Sequence, residues 1–166
     1  VILNPPSINM SNYSFSVTED NEIIYGLGAI KGVGNAIIEI IVKERNMNGD
    51  FISLDDVLRR CGTNKINKRV IEALIKSGAF DSFGESRSLL MSVYPESMKM
   101  ADQNSKNIQQ GQVDFFGFSE KLIENKNTKN QDDWSTIKKL SYERDVLGFY
   151  LTGHPISEYK DELKNF

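Results

Sequence analysis

Apolar residues recur along this chain mostly at helical spacing, with one short interval of strict alternation near the start. Tyr13-Ser14-Phe15-Ser16-Val17 alternates apolar and polar positions, Glu19-Asp20-Asn21-Glu22 is turn material, and Ile23-Ile24-Tyr25 follows, so the pattern predicts a small β-hairpin. Residues 1–12, with Pro5-Pro6 and several Asn and Ser, read as an extended lead-in. From Asn35 to Glu44, the residues Ala36, Ile37, Ile40 and Ile41 form a helical stripe that ends near Asn48-Gly49. Ser53-Leu54-Asp55-Asp56 has the form of a capping box; Leu54, Val57, Leu58 and Cys61 carry the apolar face, and Gly62 supplies the stop. Asn67 is placed to cap another helix. Ile66 and Ile71 stand there at the spacing of a hydrophobic staple, Val70, Ile71, Leu74 and Ile75 form the stripe, and Gly78 ends it. Leu89, Leu90 and Val93 predict a further helix. Pro95 is expected to break it, because an interior proline loses a hydrogen bond and clashes with the preceding turn, leaving a second piece from Glu96 to about Ser105.

From Gln103 to Asp133 the chain turns rich in Asn, Gln, Lys and Asp with little periodicity, which reads as a polar linker. After Trp134, which is placed to anchor the far end of that linker, order returns. Ile137, Leu140, Val146, Leu147, Tyr150 and Leu151 predict one or two packed helices, stopped by Gly153 with Pro155 just beyond, and Ile156 starts a further amphipathic stretch. His154 reads as a structural histidine within reach of Tyr150, and Tyr142 and Phe149 as packing residues. The expected fold is mostly α with one small N-terminal β-hairpin, a polar linker and C-terminal helices.

Composition narrows the function. At 39% hydrophobic and 26% charged, the 166 residues have the make-up of a globular protein, and no apolar run approaches the roughly 18–20 residues of a membrane span. The start, Val1-Ile2-Leu3, has no initiator Met and no signal-peptide pattern, so the chain reads as an excised piece of something longer, without a membrane role. One cysteine, Cys61, excludes an internal disulfide and fits a cytoplasmic protein; with a single histidine it also argues against a zinc site or a Cys-His nucleophile pair. The net charge of −3 hides an asymmetry: residues 26–80 hold nine Lys or Arg against six Asp or Glu, so any polyanion would be bound locally.

The stretch Gly26-Leu27-Gly28-Ala29-Ile30-Lys31-Gly32-Val33-Gly34-Asn35-Ala36 fits neither a dinucleotide-binding fingerprint, whose next glycine would fall on Lys31, nor a Walker A loop, which needs Gly-Lys-Ser/Thr. It fits a short helix, a Gly-Val-Gly hairpin and a second helix starting at Asn35. Gly32 and Gly34 are expected in turn conformations closed to other residues, with amides that converge on a phosphate oxygen where the helix dipole adds about +0.5 charge. Val33 is expected to point inward, Ala36 to allow close helix packing, and Lys31 to add a cation. Such a site grips the sugar-phosphate backbone and does not read bases. The plain alternative is a tight helix–helix turn that uses glycine for geometry alone. Lys65-Ile66-Asn67-Lys68-Arg69 places three cations and a polar cap at a second helix start 33 residues on, so the two together read as a tandem unit straddling a duplex. Lys31, Gly32, Val33, Gly34 and Asn35 are the first candidate site, and Lys65, Asn67, Lys68 and Arg69 the second. No catalytic or metal site is expected: Asp55-Asp56 sits in a capping box and Asp132-Asp133 in polar linker. Within that linker, Gln112-Val113-Asp114-Phe115-Phe116, with Phe118 close by, gathers aromatic weight in an otherwise polar stretch. It either folds back onto the domain or serves as a short linear motif for a partner's pocket.

The segments "YGLGAIKGVG", "INKRVIEALIKSGAFDS", "KMADQNSKN", "GQVDFFG" and "ERDVLGFYLTGHPI", in this order, resemble the α subunits of bacterial DNA polymerase III, the C-family replicative polymerases, over essentially the whole chain. The resemblance implies the end of the fingers region in residues 1–25, a tandem helix-hairpin-helix DNA-binding domain in 26–102, the linker in 103–133 and helices leading toward an OB-fold in 134–166. It implies a DNA-holding piece of a polymerase whose two Mg ions and catalytic aspartates lie in a palm domain outside this chain, with no cofactor here. Gln112 to Phe116 resembles the family's sliding-clamp pentapeptide, with Phe115 in place of the usual Leu or Met. The implied partners are double-stranded DNA, the sliding clamp and, through the full-length chain, other holoenzyme subunits. A DNA-repair glycosylase fragment and a purely protein-docking helical domain are the alternatives.

Overall fold

A computed structural model describes residues 2–109 and 132–159, without the side chains of residues 158 and 159. The candidate pentapeptide Gln112, Val113, Asp114, Phe115 and Phe116 lies outside the described residues. The fold is mostly helical, with α1 at Asn35–Asn48, α2 at Leu54–Cys61, α3 at Lys68–Ser77, α4 at Arg87–Gln109 and α5 at Thr136–Leu147. The alternating segment near the start does pair, as β2 (Ser16–Val17) antiparallel to β3 (Ile23–Ile24), with Asn21 in the turn at φ 59°. The lead-in adds a strand that the sequence pattern did not reveal: β1 (Leu3–Asn4) lies parallel to β3, giving the order β1-β3-β2.

The rest of the lead-in is strapped to the helices by polar groups. Ile8 is fully buried and its N–H donates to the Ala79 carbonyl at 2.9 Å. The buried Arg45 guanidinium of α1 donates to the carbonyls of Ile8 and Ser11 and to Asn12 Oδ1, at 2.9, 2.7 and 2.7 Å. On α1 the buried stripe is Ile38, Ile41 and Arg45, with Ile37 and Ile40 half-buried. Ala36 is exposed, so it does not serve the close helix packing expected of it. The stripes of α2 and α3 are buried as the periodicity predicts, and Ser53 and Asn67 cap them by accepting from the N–H of Asp56 and Val70. Burial pushes the Cys61 thiol up to about 12, which leaves it an inert core residue.

Two helix limits differ from expectation. Pro95 does not break α4, which runs unbroken to Gln109 and takes in residues 103–109 of the expected linker. A proline here removes the hydrogen bond to the Met91 carbonyl and costs about 3 kcal/mol. Burial of Leu90 and Tyr94 before it, and packing of Met98 and Ala101 after it, offset that loss. The C-terminal helix ends at Gly148, at φ 90°, rather than at Gly153, and Pro155–Tyr159 forms only a short 3-10 turn. His154 stacks edge-on against Tyr150 at 5.6 Å, and its Nδ1 accepts from the Ile156 N–H.

The α5 segment is locked onto α3 and α4 by a buried ion pair. Arg87 meets Asp81 at 2.7 Å and Glu143 at 3.0 Å, and Glu143 also accepts from the N–H groups of Leu151 and Thr152 and from the Thr152 hydroxyl. Gly78, at φ 83°, leaves the guanidinium room, since a Cβ there would lie 2.3 Å from Arg87 Nη2. One carboxylate of each adjacent acidic pair is engaged in such structural work. Asp56 is bound by Arg59 and Arg60, and Asp133 accepts from Ser88 and Trp134 N–H groups and pairs with Lys139.

Burial alone would raise the Glu143 carboxyl, but the bonds from Thr152, Arg87 and Leu151 outweigh it and hold the pKa below the ordinary value. A lowered folded pKa adds stability above the unfolded value, about 4.3, that is lost as pH falls through the folded value. Glu143→Ala is expected to cost roughly 3–5 kcal/mol in urea unfolding at pH 7, because Arg87 stays buried with one partner fewer. The gap between wild type and variant is expected to narrow below about pH 4.

Candidate nucleic-acid interface

The first bend is built from the inside outward. A short 3-10 turn, Leu27–Ala29, is clamped by the Leu27 and Gly28 N–H groups donating to the carbonyls of Asn12 and Tyr13 at 2.8 and 2.9 Å. A Cβ at Gly26 would lie 2.6 Å from the Tyr13 carbonyl oxygen, so the first glycine of the run serves this internal contact. The Val33 N–H closes the hairpin onto the Ile30 carbonyl, Gly32 takes φ 93°, and Val33 is 7% exposed. Gly34 caps α1, accepting at its carbonyl from the N–H groups of Ile37 and Ile38. The N–H groups of Gly32, Gly34, Asn35 and Ala36 have no acceptor among the described residues. Lys31, Gly32, Gly34 and Asn35 are all exposed. The Asn35 side chain is turned to Glu39, which leaves its main-chain N–H as the group on offer.

The second bend repeats this plan with other residues. Gly62, at φ 86°, ends α2, and its carbonyl accepts from the N–H groups of Lys65 and Ile66. Ile66 is buried one residue before the cap, as Val33 is, and Asn67 caps α3 with dihedrals of −88° and 170°, close to the −83° and 156° of Gly34. The correspondence continues inward: Ile38 and Ile41 stand as far from Val33 as Ile71 and Leu74 do from Ile66, and all four are buried. The N–H groups of Asn67, Lys68 and Arg69 have no acceptor among the described residues, and the exposed Lys65, Lys68 and Arg69 have no carboxylate partner there.

The two bends are neighbours in space. The position of a Cβ on Gly32 is 3.7 Å from Arg69 Cγ and 3.8 Å from Ala73 Cβ, so the tip of the first bend rests on the first turn of α3. Two neighbouring bends thus carry helix N-termini with unengaged amides and four exposed cations, an arrangement suited to anions spaced along a polymer. A model of the helix-hairpin-helix motif matches residues 1–90, which takes in both bends. The chain belongs to the helix-hairpin-helix family.

Similarity to curated proteins extends the match beyond residue 90. The chain is 45% identical over 165 residues to the DNA polymerase III subunit alpha of Escherichia coli (strain K12), 41% identical over 164 residues to that of Haemophilus influenzae, and 41% identical over 160 residues to that of Neisseria meningitidis. These alignments cover 98, 98 and 96% of this chain, which spans only 14% of the length of each relative.

Sequence reasoning found both helix-hairpin-helix bends but misjudged one glycine and missed a support. Gly34 is not in a conformation closed to other residues: φ −83° suits any residue, and a Cβ there would meet nothing within 4 Å. The protein's own packing therefore does not require glycine at this position. The missed support is α5, whose Val146 carbonyl accepts from the Lys31 N–H at 2.8 Å while Leu147 accepts from the Tyr25 hydroxyl at 3.3 Å. A bond between main-chain groups so distant in sequence leaves no residue pattern to read. Gly34→Val is expected to cost no more than about 1 kcal/mol, for a less favoured cap residue, whereas Gly32→Val is expected to lose roughly 1–3 kcal/mol to backbone strain in urea denaturation.

Proposed function

We propose that this chain is the DNA-holding part of a replicative DNA polymerase α subunit, which grips the backbone of duplex DNA without reading its sequence. The observation that carries this reading is Gly34. Its conformation is open to any residue and its surroundings are empty, yet it lacks a side chain where unengaged amides face outward beside Lys31 and Arg69. A missing Cβ at such a place permits close approach by a partner's surface, and amides at a helix start select a phosphate over a base. The bends position the DNA and chemistry happens elsewhere, in the larger polypeptide to which such relatives correspond. That polypeptide would supply the two Mg ions, the cytoplasmic setting and the contacts with other replicative subunits.

The second arm of the proposal is a tether. Gln112, Val113, Asp114, Phe115 and Phe116 bind the pocket of a ring-shaped sliding clamp, with two adjacent aromatic rings as anchors and Gln112 as the hydrogen-bonding amide. A weak contact suffices, because tethering raises the local concentration of the polymerase beside a ring that encircles the DNA. Support comes from the residue pattern and from the resemblance to the polymerase family.

Fluorescence anisotropy with two unrelated duplexes across a salt series tests the first arm. With three or more phosphates engaged, the logarithmic salt slope is expected near −3 or steeper, and equal for both sequences. Gly34→Val is expected to weaken binding at least tenfold while the chain stays folded; a slope near zero, a strong sequence preference or unaltered affinity of that variant contradicts the reading. For the second arm, retention on immobilised purified clamp is expected for the wild-type chain and lost in Phe115→Ala/Phe116→Ala. Equal retention of both removes the tether.

A further inference from the structure

Beyond the bends, two lysines are gathered around an aromatic pair with no carboxylate to neutralise them. Trp134 and Tyr142 stack edge-to-face at 4.5 Å, both half-buried. Lys138, between them in α5, holds its Nζ 5.4 Å from the Trp134 ring and 5.8 Å from the Tyr142 ring. Lys76 of α3 reaches the same Tyr142 ring from across the helix interface, at 5.0 Å. Neither ammonium has an acidic partner among the described residues, in contrast to the adjacent Lys139, which pairs with Asp133.

The cluster is in line with the bends. Arg69, against which Gly32 rests, and Lys76 are two turns apart and share a face of α3, separated by about 10.5 Å along its axis. Among the acids nearby, Glu72 on the same helix is taken by the Tyr94 hydroxyl, Glu143 is buried with Arg87, and Asp145 shares the outer face of α5 with Lys138. Each ammonium is drawn to the ring and stays available to an anion. An anionic polymer that lies along this face of α3 from Arg69 would meet both.

We infer that the duplex-binding surface does not end at the bends but runs along the outer face of α3 onto α5, where Lys76 and Lys138 take further backbone phosphates of the same DNA. Trp134 and Tyr142 fix the two ammonium groups in place for this. The inference rests on the duplex-binding reading above and adds two contacts to it.

The test compares salt slopes of the 166-residue chain on a duplex long enough to pass α5. Lys76→Gln/Lys138→Gln is measured beside a control, Lys43→Gln/Lys99→Gln, which removes two exposed lysines of α1 and α4. The first variant is expected to make the slope shallower by about 1.8, at 0.9 per lost phosphate, and the control to leave it unchanged. An unchanged slope in the first variant, or an equal loss in both, overturns the inference. Lys68→Gln/Arg69→Gln separates the two levels. If that variant flattens the slope and Lys76→Gln/Lys138→Gln does not, the bends bind DNA and the extension is wrong. If the wild-type chain shows no salt-dependent duplex binding, the underlying reading fails and the extension with it.

Discussion

Two apolar side chains set the geometry on which everything else depends. Val33 and Ile66 are each drawn into the core one residue before a helix cap, and burying such a side chain contributes about 1.5–3 kcal/mol. With that residue pointing inward, the next must turn outward, and the opening amides of the helix follow it to the surface. Water would satisfy those amides equally well, so their display has no cost to the fold. It makes them available to a phosphate.

The remaining architecture keeps the two bends from moving relative to each other. α3 carries the second bend and supports the tip of the first, through Arg69 and Ala73 against Gly32. α5 closes the arrangement from behind, with its last carbonyls on Lys31 and Tyr25. Its own position is set by Glu143, a fully buried carboxylate whose oxygens are all engaged by Arg87, Leu151 and Thr152. A residue far along the chain thereby stiffens a bend near its start. The lead-in does similar work from the other side, held by Arg45 across three acceptors.

What the sequence revealed follows from the range of the forces involved. Helix caps, staples and apolar stripes are local, so α2 and α3 could be read to within a residue, and both bends with them. Long-range main-chain bonds have no local signature, which is why β1 and the contact of α5 with Lys31 were invisible. Arg45 was hidden because a buried guanidinium looks like any surface cation until its acceptors are known. Pro95 misled for the opposite reason: its local rule is strong, but packing on both sides of the proline overrides it. Gly34 shows the same limit at the scale of one residue, since a glycine needed for strain and a glycine needed for approach are written alike.

Backbone amide shifts of the isotope-labelled chain, followed by NMR as duplex DNA is added, probe the proposed grip most directly. The account predicts that Gly32, Gly34, Asn35, Asn67, Lys68 and Arg69 move together, to the same extent with duplexes of different sequence, while buried amides such as that of Val57 stay still. Duplex binding that leaves those six amides unmoved, or moves them with one sequence only, would contradict it.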